Sequence, residues 1–144
     1  MENPILQPVI VLVVWSFVIW AWLYATRIPA ILRLKVPMDP RRTQAEFAEA
    51  FPPEVRWKAD NYNHLMEQPT LFYATILALI VTSCDNPVVL FAAWAYVALR
   101  IVHSLIQSLS NRIRYRFLVF MLASIALIIM IGFAVCAAFL GVFQ

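Results

Sequence analysis

Four long runs of apolar residues dominate the chain, and shorter polar stretches separate them. A helix rises about 1.5 Å per residue, so roughly 20 apolar residues cross the hydrocarbon core of a bilayer. The runs near residues 7–26, 62–83, 88–109 and 117–140 have about this length. The pattern therefore predicts an all-α integral membrane four-helix bundle that forms one domain over residues 1–144.

The long connection between the first two runs, about residues 28–60, has a pattern of its own. Asp39 precedes Pro40, and this pair is expected to cap a helix with proline at its first position. Apolar residues then recur among charged ones, which indicates a short amphipathic helix on the membrane surface, either a connector or a lid over a substrate. Pro52 and Pro53 are expected to end this helix. The recurring apolar positions are Ala45, Phe47, Ala48 and Phe51.

The basic residues lie on one side of the predicted bundle. Four spans place the first and third connections on one side, and both termini and the tight turn at 85–87 on the other. Of the 11 lysines and arginines, only Arg100 lies outside the first and third connections and their borders. Because basic loops stay in the cytoplasm, the termini are expected to face the outside or a lumen; in a bacterium the membrane would be the inner one. This asymmetry accounts for the net positive charge of the chain, and no motif predicts nucleic-acid binding.

Composition agrees with the membrane class and excludes other readings. Hydrophobic residues make up 63% of the chain and charged residues 13%, which is too apolar for a soluble domain of this length. The first run is longer than a signal-peptide core and lacks preceding basic residues, so it is expected to be a retained span. Cys84 and Cys136 are too few and too far apart for a zinc motif or a disulfide framework, so the cysteines predict no metal site.

Polar side chains inside the second and third runs are the candidate chemistry. A charge within the bilayer costs roughly 2.5–3.5 kcal/mol, so it needs a partner or a function. In each run the polar residues recur at spacings that share a helix face, and the two faces reach similar depths from the cytoplasmic side. The polar positions are Asn61, Asn63, His64 and Glu67 in the second run, and Arg100, His103 and Gln107 in the third.

These residues leave several interpretations open. A Glu67–Arg100 ion pair, within a subunit or across an interface, would neutralise both charges, and the polar set could serve only to hold helices together. His64 and His103 on neighbouring helices also suggest a metal or a b-type haem, although no third soft ligand accompanies them. No nucleophile elbow, phosphate-binding glycine loop or HExxH motif supports a hydrolase or a nucleotide enzyme.

A family resemblance follows from these motifs. Residues 61–69, which read NYNHLMEQP, are followed by Arg100-x-x-His103 and then by Arg116, and this order resembles the MAPEG proteins (membrane-associated proteins in eicosanoid and glutathione metabolism), of a bacterial type. The resemblance covers most of the chain. That family consists of small four-helix membrane proteins that form trimers, among them microsomal glutathione transferases, prostaglandin E synthase and leukotriene synthase. The resemblance implies a homotrimer that binds glutathione between adjacent subunits near the cytoplasmic face.

The resemblance also implies roles for single residues. Glu67 would hold the cysteine or the glutamyl amino group of glutathione, and Asn63 or His64 falls at the asparagine of the family's motif. Arg116 matches the arginine that lowers the pKa of the thiol, with Arg114 as the alternate match. The implied catalytic set is therefore Arg116 and Arg114, and the glutathione-binding set is Asn61, Asn63, His64, Glu67, Arg100, His103 and Gln107.

Three positions depart from the family's pattern. Asp60 stands where an arginine usually begins the second-helix motif, and a carboxylate cannot clamp a carboxylate; Arg56 or Lys58 would have to substitute. Gln107 replaces the tyrosine that closes the tripeptide site. Phe117 replaces the serine of prostaglandin synthase.

The expected function is that of a glutathione-dependent transferase or peroxidase acting on lipophilic electrophiles. Its partners would be two copies of itself in the trimer, membrane lipids and a lipophilic small-molecule substrate, with no nucleic acid. The first alternative is a non-enzymatic scaffold, lipid-binding protein or accessory subunit that keeps the same fold. A haem or metal electron-transfer protein comes third.

Overall fold

The computed structural model describes residues 4–142 and shows helices without strands in that part of the chain. Four of the helices are long and apolar enough to cross a membrane, so the predicted all-α class and the four spans are confirmed. A fifth, short helix lies between the first two spans. The helices are α1 (Leu6–Leu34), α2 (Gln44–Glu49), α3 (Pro53–Val81), α4 (Pro87–Leu109) and α5 (Ile113–Leu140).

The helices α1 and α3 are longer than the apolar runs that predict them. Each has 29 residues, and at about 1.5 Å per residue each exceeds the ~30 Å hydrocarbon core. The extra turns lie toward the first connection, which shrinks from the expected 28–60 to residues 35–52. Hydropathy marks only the part of a helix that suits lipid, whereas the backbone hydrogen bonds continue beyond it.

The short helix α2 lies in the predicted segment but begins at a different cap. The Thr43 hydroxyl accepts from the Glu46 N–H, and the Glu46 carboxylate accepts from the Thr43 N–H at 2.8 Å. Hydrogen bonds from Thr43, first of all from its backbone, hold the pKa of Glu46 below its ordinary value. The expected cap at Asp39 is wrong, because its carboxylate accepts from the Arg41 N–H in a turn before the helix.

The two prolines after α2 begin the next helix. The C-cap of α2 is Ala50, whereas Pro52 is the N-cap of α3 and Pro53 its first residue. Proline is well suited to that first position because the missing N–H would be unpaired there anyway. The prediction that these prolines end the surface helix is therefore wrong. The helix already ends before them, and the prolines begin α3.

Two cation–π contacts join Phe47 of α2, and Phe51 shortly after it, to Arg27 of α1. The Arg27 guanidinium carbon lies 5.8 Å from the ring centre of Phe47 and 5.3 Å from that of Phe51. Phe51 is only 3% exposed, so its ring is part of the packed structure. Cation–π contacts of this kind stabilise by roughly 0.5–2 kcal/mol each. The first connection is therefore docked on the bundle.

The core of the bundle is formed by buried side chains of α1, α3, α4 and α5. The rings of Phe72 and Tyr96 stack with centres 4.6 Å apart, and both side chains are fully buried. The helices α3 and α4 are joined by the predicted tight turn, in which the Asn86 side chain accepts from the Val88 N–H. Large apolar side chains on the outer faces are exposed, which suits contact with lipid.

Charge asymmetry gives a testable orientation. We expect alkaline phosphatase fused after the C-terminus to be active in a bacterial host, because that end should face the outside. The same enzyme inserted at Arg112, between α4 and α5, should be inactive, because this connection carries basic residues. A cytoplasm-specific reporter that is active at the C-terminus would contradict the orientation.

Candidate functional site

The first contact of the site lies about one turn before a proline in α3. Pro69 has no backbone N–H, so the carbonyl of Leu65 loses its helical partner and this turn is short of donors. The neighbouring carbonyl of His64 accepts a hydrogen bond from Arg100 Nη2 at 2.9 Å. A residue of α4 is thus bound to the backbone of α3 beside its proline.

The predicted Glu67–Arg100 ion pair is wrong within one chain. A Glu67 carboxylate oxygen lies 3.0 Å from His64 Nδ1, one helical turn away. The Glu67 side chain is 70% exposed, whereas Arg100 is fully buried. Glu67 points out of the bundle, so it pairs with the residue on its own helix. A pair with Arg100 across a subunit interface stays a prediction.

Arg100 itself is an unusual group for the interior of a membrane bundle. Within residues 4–142 its Nε and Nη1 atoms have no hydrogen-bond partner. The guanidinium carbon lies 5.8 Å from the ring centre of Phe120, which offers a weak electrostatic contact. A buried cation with unpaired nitrogens is costly, so a site for an anionic or polar partner near this residue would repay that cost.

Asn61 joins α3 to α4 through two serines that the sequence analysis missed. Its amide Nδ2 donates to Ser104 Oγ at 2.6 Å and to Ser108 Oγ at 2.9 Å, and the asparagine is fully buried. A signal was present, because Ser104 and Ser108 follow Arg100 at intervals of four and so share its helix face. These contacts make Asn61 a structural link between helices, and a ligand contact for it stays a prediction.

A second link, also missed, lies deeper in the bundle. The Gln68 amide Nε2 donates to Ser124 Oγ at 2.8 Å, and its oxygen accepts from the Tyr96 hydroxyl at 3.4 Å. One side chain of α3 therefore binds both α4 and α5. Gln68 is half-buried, and its position next to Pro69 in the motif was the only sequence signal for it.

A cavity of about 180 Å³ opens where α3, α4 and α5 meet, near the connection between α4 and α5. The His64 and His103 rings are 5.0 Å apart, and the Phe120 ring lies 5.3 Å from that of His64. The walls combine two imidazoles, one guanidinium and three apolar side chains. The lining residues are His64, His103, Ile113, Arg116, Phe117 and Phe120.

The two candidate arginines of α5 differ in position. Arg116 is half-buried and lines the cavity, and its Nη1 donates to Asn111 Oδ1. Arg114 is exposed and is not among the lining residues. At 100° per residue, two residues apart lie on nearly opposite sides of a helix, so only one of them can face the cavity.

The remaining predicted residues fall into two groups around this cavity. His64, His103 and Arg116 line it, and Arg100 and Glu67 each bind His64. Asn63 is exposed, and Gln107 is buried with an oxygen that has no partner within the described residues. The helix geometry therefore brings together about half of the predicted set.

The sequence profile of the MAPEG family matches residues 5–136, which include nearly all of the four spanning helices and every residue of the site. The chain belongs to the MAPEG family. Comparisons with curated proteins and with solved structures found no match. Membership in MAPEG and the four apolar helices agree on a multi-pass membrane protein, and every residue that lines the cavity lies within the matched range.

Proposed function

We propose that this MAPEG protein is a glutathione-dependent transferase or peroxidase that acts on lipophilic electrophiles. The observation that carries the proposal is the position of Arg116, whose guanidinium lines one cavity with His64, His103 and three apolar side chains. A cation beside an apolar wall suits a thiolate that attacks a lipophilic molecule. In a bacterium the site would lie on the cytoplasmic side of the inner membrane.

The proposed role of Arg116 is to stabilise a thiolate electrostatically. A free thiol has a pKa of about 8.5, so only a few per cent is ionised at about pH 7. A nearby guanidinium favours the thiolate and lowers that pKa. In the transferase reaction the thiol proton leaves to water, the sulfur forms a bond to the electrophilic carbon, and the leaving group departs with the bonding pair.

The peroxidase variant uses the same thiolate. The sulfur attacks one oxygen of a lipid hydroperoxide, the O–O bond breaks, and the alcohol leaves after taking up a proton. A second glutathione then displaces hydroxide from the sulfenic acid of the first, which yields glutathione disulfide and water. Two thiols are oxidised and one hydroperoxide is reduced, so no further reactant is needed.

Other residues would hold the glutathione peptide. The exposed Glu67 carboxylate would accept a hydrogen bond from the cysteine or from the glutamyl amino group of glutathione, as the family resemblance implies. Lys58 is an unsuitable substitute for the arginine missing at Asp60, because its ammonium donates to the Glu54 carbonyl at 2.7 Å and its side chain is 8% exposed. Arg56, which is half-buried, is the remaining candidate to bind a glutathione carboxylate.

The size of the cavity supports a site shared between subunits. Its volume of about 180 Å³ is below the roughly 300–1,000 Å³ of typical ligand pockets. One chain would thus hold the thiol end of glutathione, and the adjacent subunit of a homotrimer would supply the rest of the pocket. In this arrangement the exposed Glu67 carboxylate would also be available to the shared pocket.

We expect mass measurement in a mild detergent to give three chains per particle. The polar groups of α3 and α4 avoid lipid most readily when they face another subunit. Crosslinking in native membranes, before any detergent is added, is the control for dissociation during purification. Monomers in both measurements would contradict the shared site.

Calorimetric titration with glutathione in detergent tests the proposed function directly. We expect weak binding, because Asp60 cannot clamp a carboxylate, together with an increase in the ultraviolet absorbance of the thiolate. S-methylglutathione is the matched ligand, because it can bind but cannot form a thiolate. A folded trimer that binds neither compound would favour the non-enzymatic accessory protein, and a haem Soret band would favour the electron carrier.

A further inference from the structure

The connection between α4 and α5 is only three residues long, and its middle residue has an uncommon backbone. Asn111 has a φ of +47°, in the left-handed region, and its N–H donates to the carbonyl of Ile106 at 2.7 Å. This bond closes the C-terminus of α4. Glycine is the usual residue at such a position, and asparagine is the most common alternative because its short side chain tolerates the conformation.

The side chain of Asn111 makes a hydrogen bond that glycine could not make. Its Oδ1 accepts a hydrogen bond from Arg116 Nη1. Asparagine often uses this oxygen to cap the next helix, but α5 begins after Arg112 with no side-chain cap from residues 4–142. The amide oxygen of Asn111 is therefore directed at Arg116, the guanidinium that lines the cavity.

The chemical type of this acceptor matters for the charge in the cavity. An aspartate at the same place would bind the guanidinium equally well in geometry, but it would form an ion pair and cancel most of the positive potential. The neutral amide holds the arginine and leaves its charge available. Fixing a long, flexible side chain also removes an entropy cost that would otherwise fall on ligand binding.

We propose that Asn111 is a positioning residue that holds the Arg116 guanidinium at the cavity without neutralising it. That the held charge then stabilises a bound thiolate rests on the proposed function; the positioning itself does not. The two parts of this inference are tested separately, the first without any glutathione.

Arginine modification tests the positioning alone. We expect phenylglyoxal to modify Arg116 more slowly than the exposed Arg114 in the wild-type trimer, with both sites quantified by mass spectrometry. Asn111→Gly keeps the left-handed backbone and loses only the acceptor, so the rate at Arg116 relative to Arg114 should rise several-fold. Ser110→Ala, a change in the same connection, should leave the ratio unchanged. An unchanged ratio in Asn111→Gly would overturn the positioning role.

Thiolate titration tests the role of the neutral acceptor. Asn111→Asp should keep Arg116 as protected from phenylglyoxal as in the wild type, yet reduce the thiolate of bound glutathione about tenfold at pH values below its pKa. A thiolate titration identical to the wild type would show that acceptor charge is irrelevant and would overturn that part. A wild-type protein without a thiolate signal would refute the proposed function, while the phenylglyoxal ratio would still decide the positioning.

Discussion

Replacing Arg116 by alanine should lower the turnover of an aryl-halide electrophile by about 10- to 100-fold. The guanidinium lines the cavity, and its loss would raise the pKa of the bound thiol by one unit or more. Each unit removes about 1.4 kcal/mol of thiolate stabilisation. The measurement is kcat/KM of the purified protein as a function of pH, together with the thiolate absorbance after glutathione is added.

Two further variants serve as comparisons for Arg116→Ala. Arg116→Lys keeps a charge but loses the planar group that Asn111 holds, so we expect an intermediate loss. Arg114→Ala removes an exposed arginine of the same helix turn and should keep nearly full activity. If Arg114→Ala were inactive and Arg116→Ala active, the wrong arginine would have been assigned, although the family would be unaffected.

Replacing Asn61 by alanine should destabilise the folded protein by about 2–3 kcal/mol. The change removes hydrogen bonds to the hydroxyls of Ser104 and Ser108 in a fully buried part of the α3–α4 contact. A hydroxyl left without its partner there keeps the cost of burial and loses the compensating bond. Equilibrium unfolding in mixed micelles measures the difference in the free energy of unfolding.

Asn63 is the matched control for Asn61. It lies two residues away on the same helix, carries the same side chain and is exposed. Asn63→Ala should change the free energy of unfolding by less than about 0.5 kcal/mol. Equal effects of the two changes would mean that the hydrogen bonds of Asn61 contribute nothing to stability.

For the polar residues of α3 and α4, helix periodicity predicted relations within one helix correctly but not the relation between the two helices. Spacing correctly indicated that His64 and Glu67 share a face and that His103 follows Arg100 on one face, because these are relations within one helix. The expected Glu67–Arg100 pair needed a relation between two helices. It is wrong within one chain, because the packing turns Glu67 outward while Arg100 is enclosed and reaches a backbone carbonyl instead.

In the first connection, the sequence predicted the short helix but not its cap or the borders of the connection. The pattern correctly indicated a short helix, but Asp39 and Thr43 are both suitable caps, and the choice depends on a reciprocal bond with Glu46 three residues beyond Thr43. The connection is also shorter than expected. Its borders depend on how far α1 and α3 continue in water, which hydropathy does not measure.

The sequence by itself determined the membrane class, the four spans and the family, and it limited the candidate arginines of α5 to Arg114 and Arg116. These features depend on hydropathy, on motif order and on spacing along one chain. Only the tertiary structure decided which residues meet at the cavity. Arg114 and Arg116 lie on nearly opposite sides of α5, and the rotation of that helix about its axis is set by its packing against α4 and α3, which directs Arg116 inward beside Asn111.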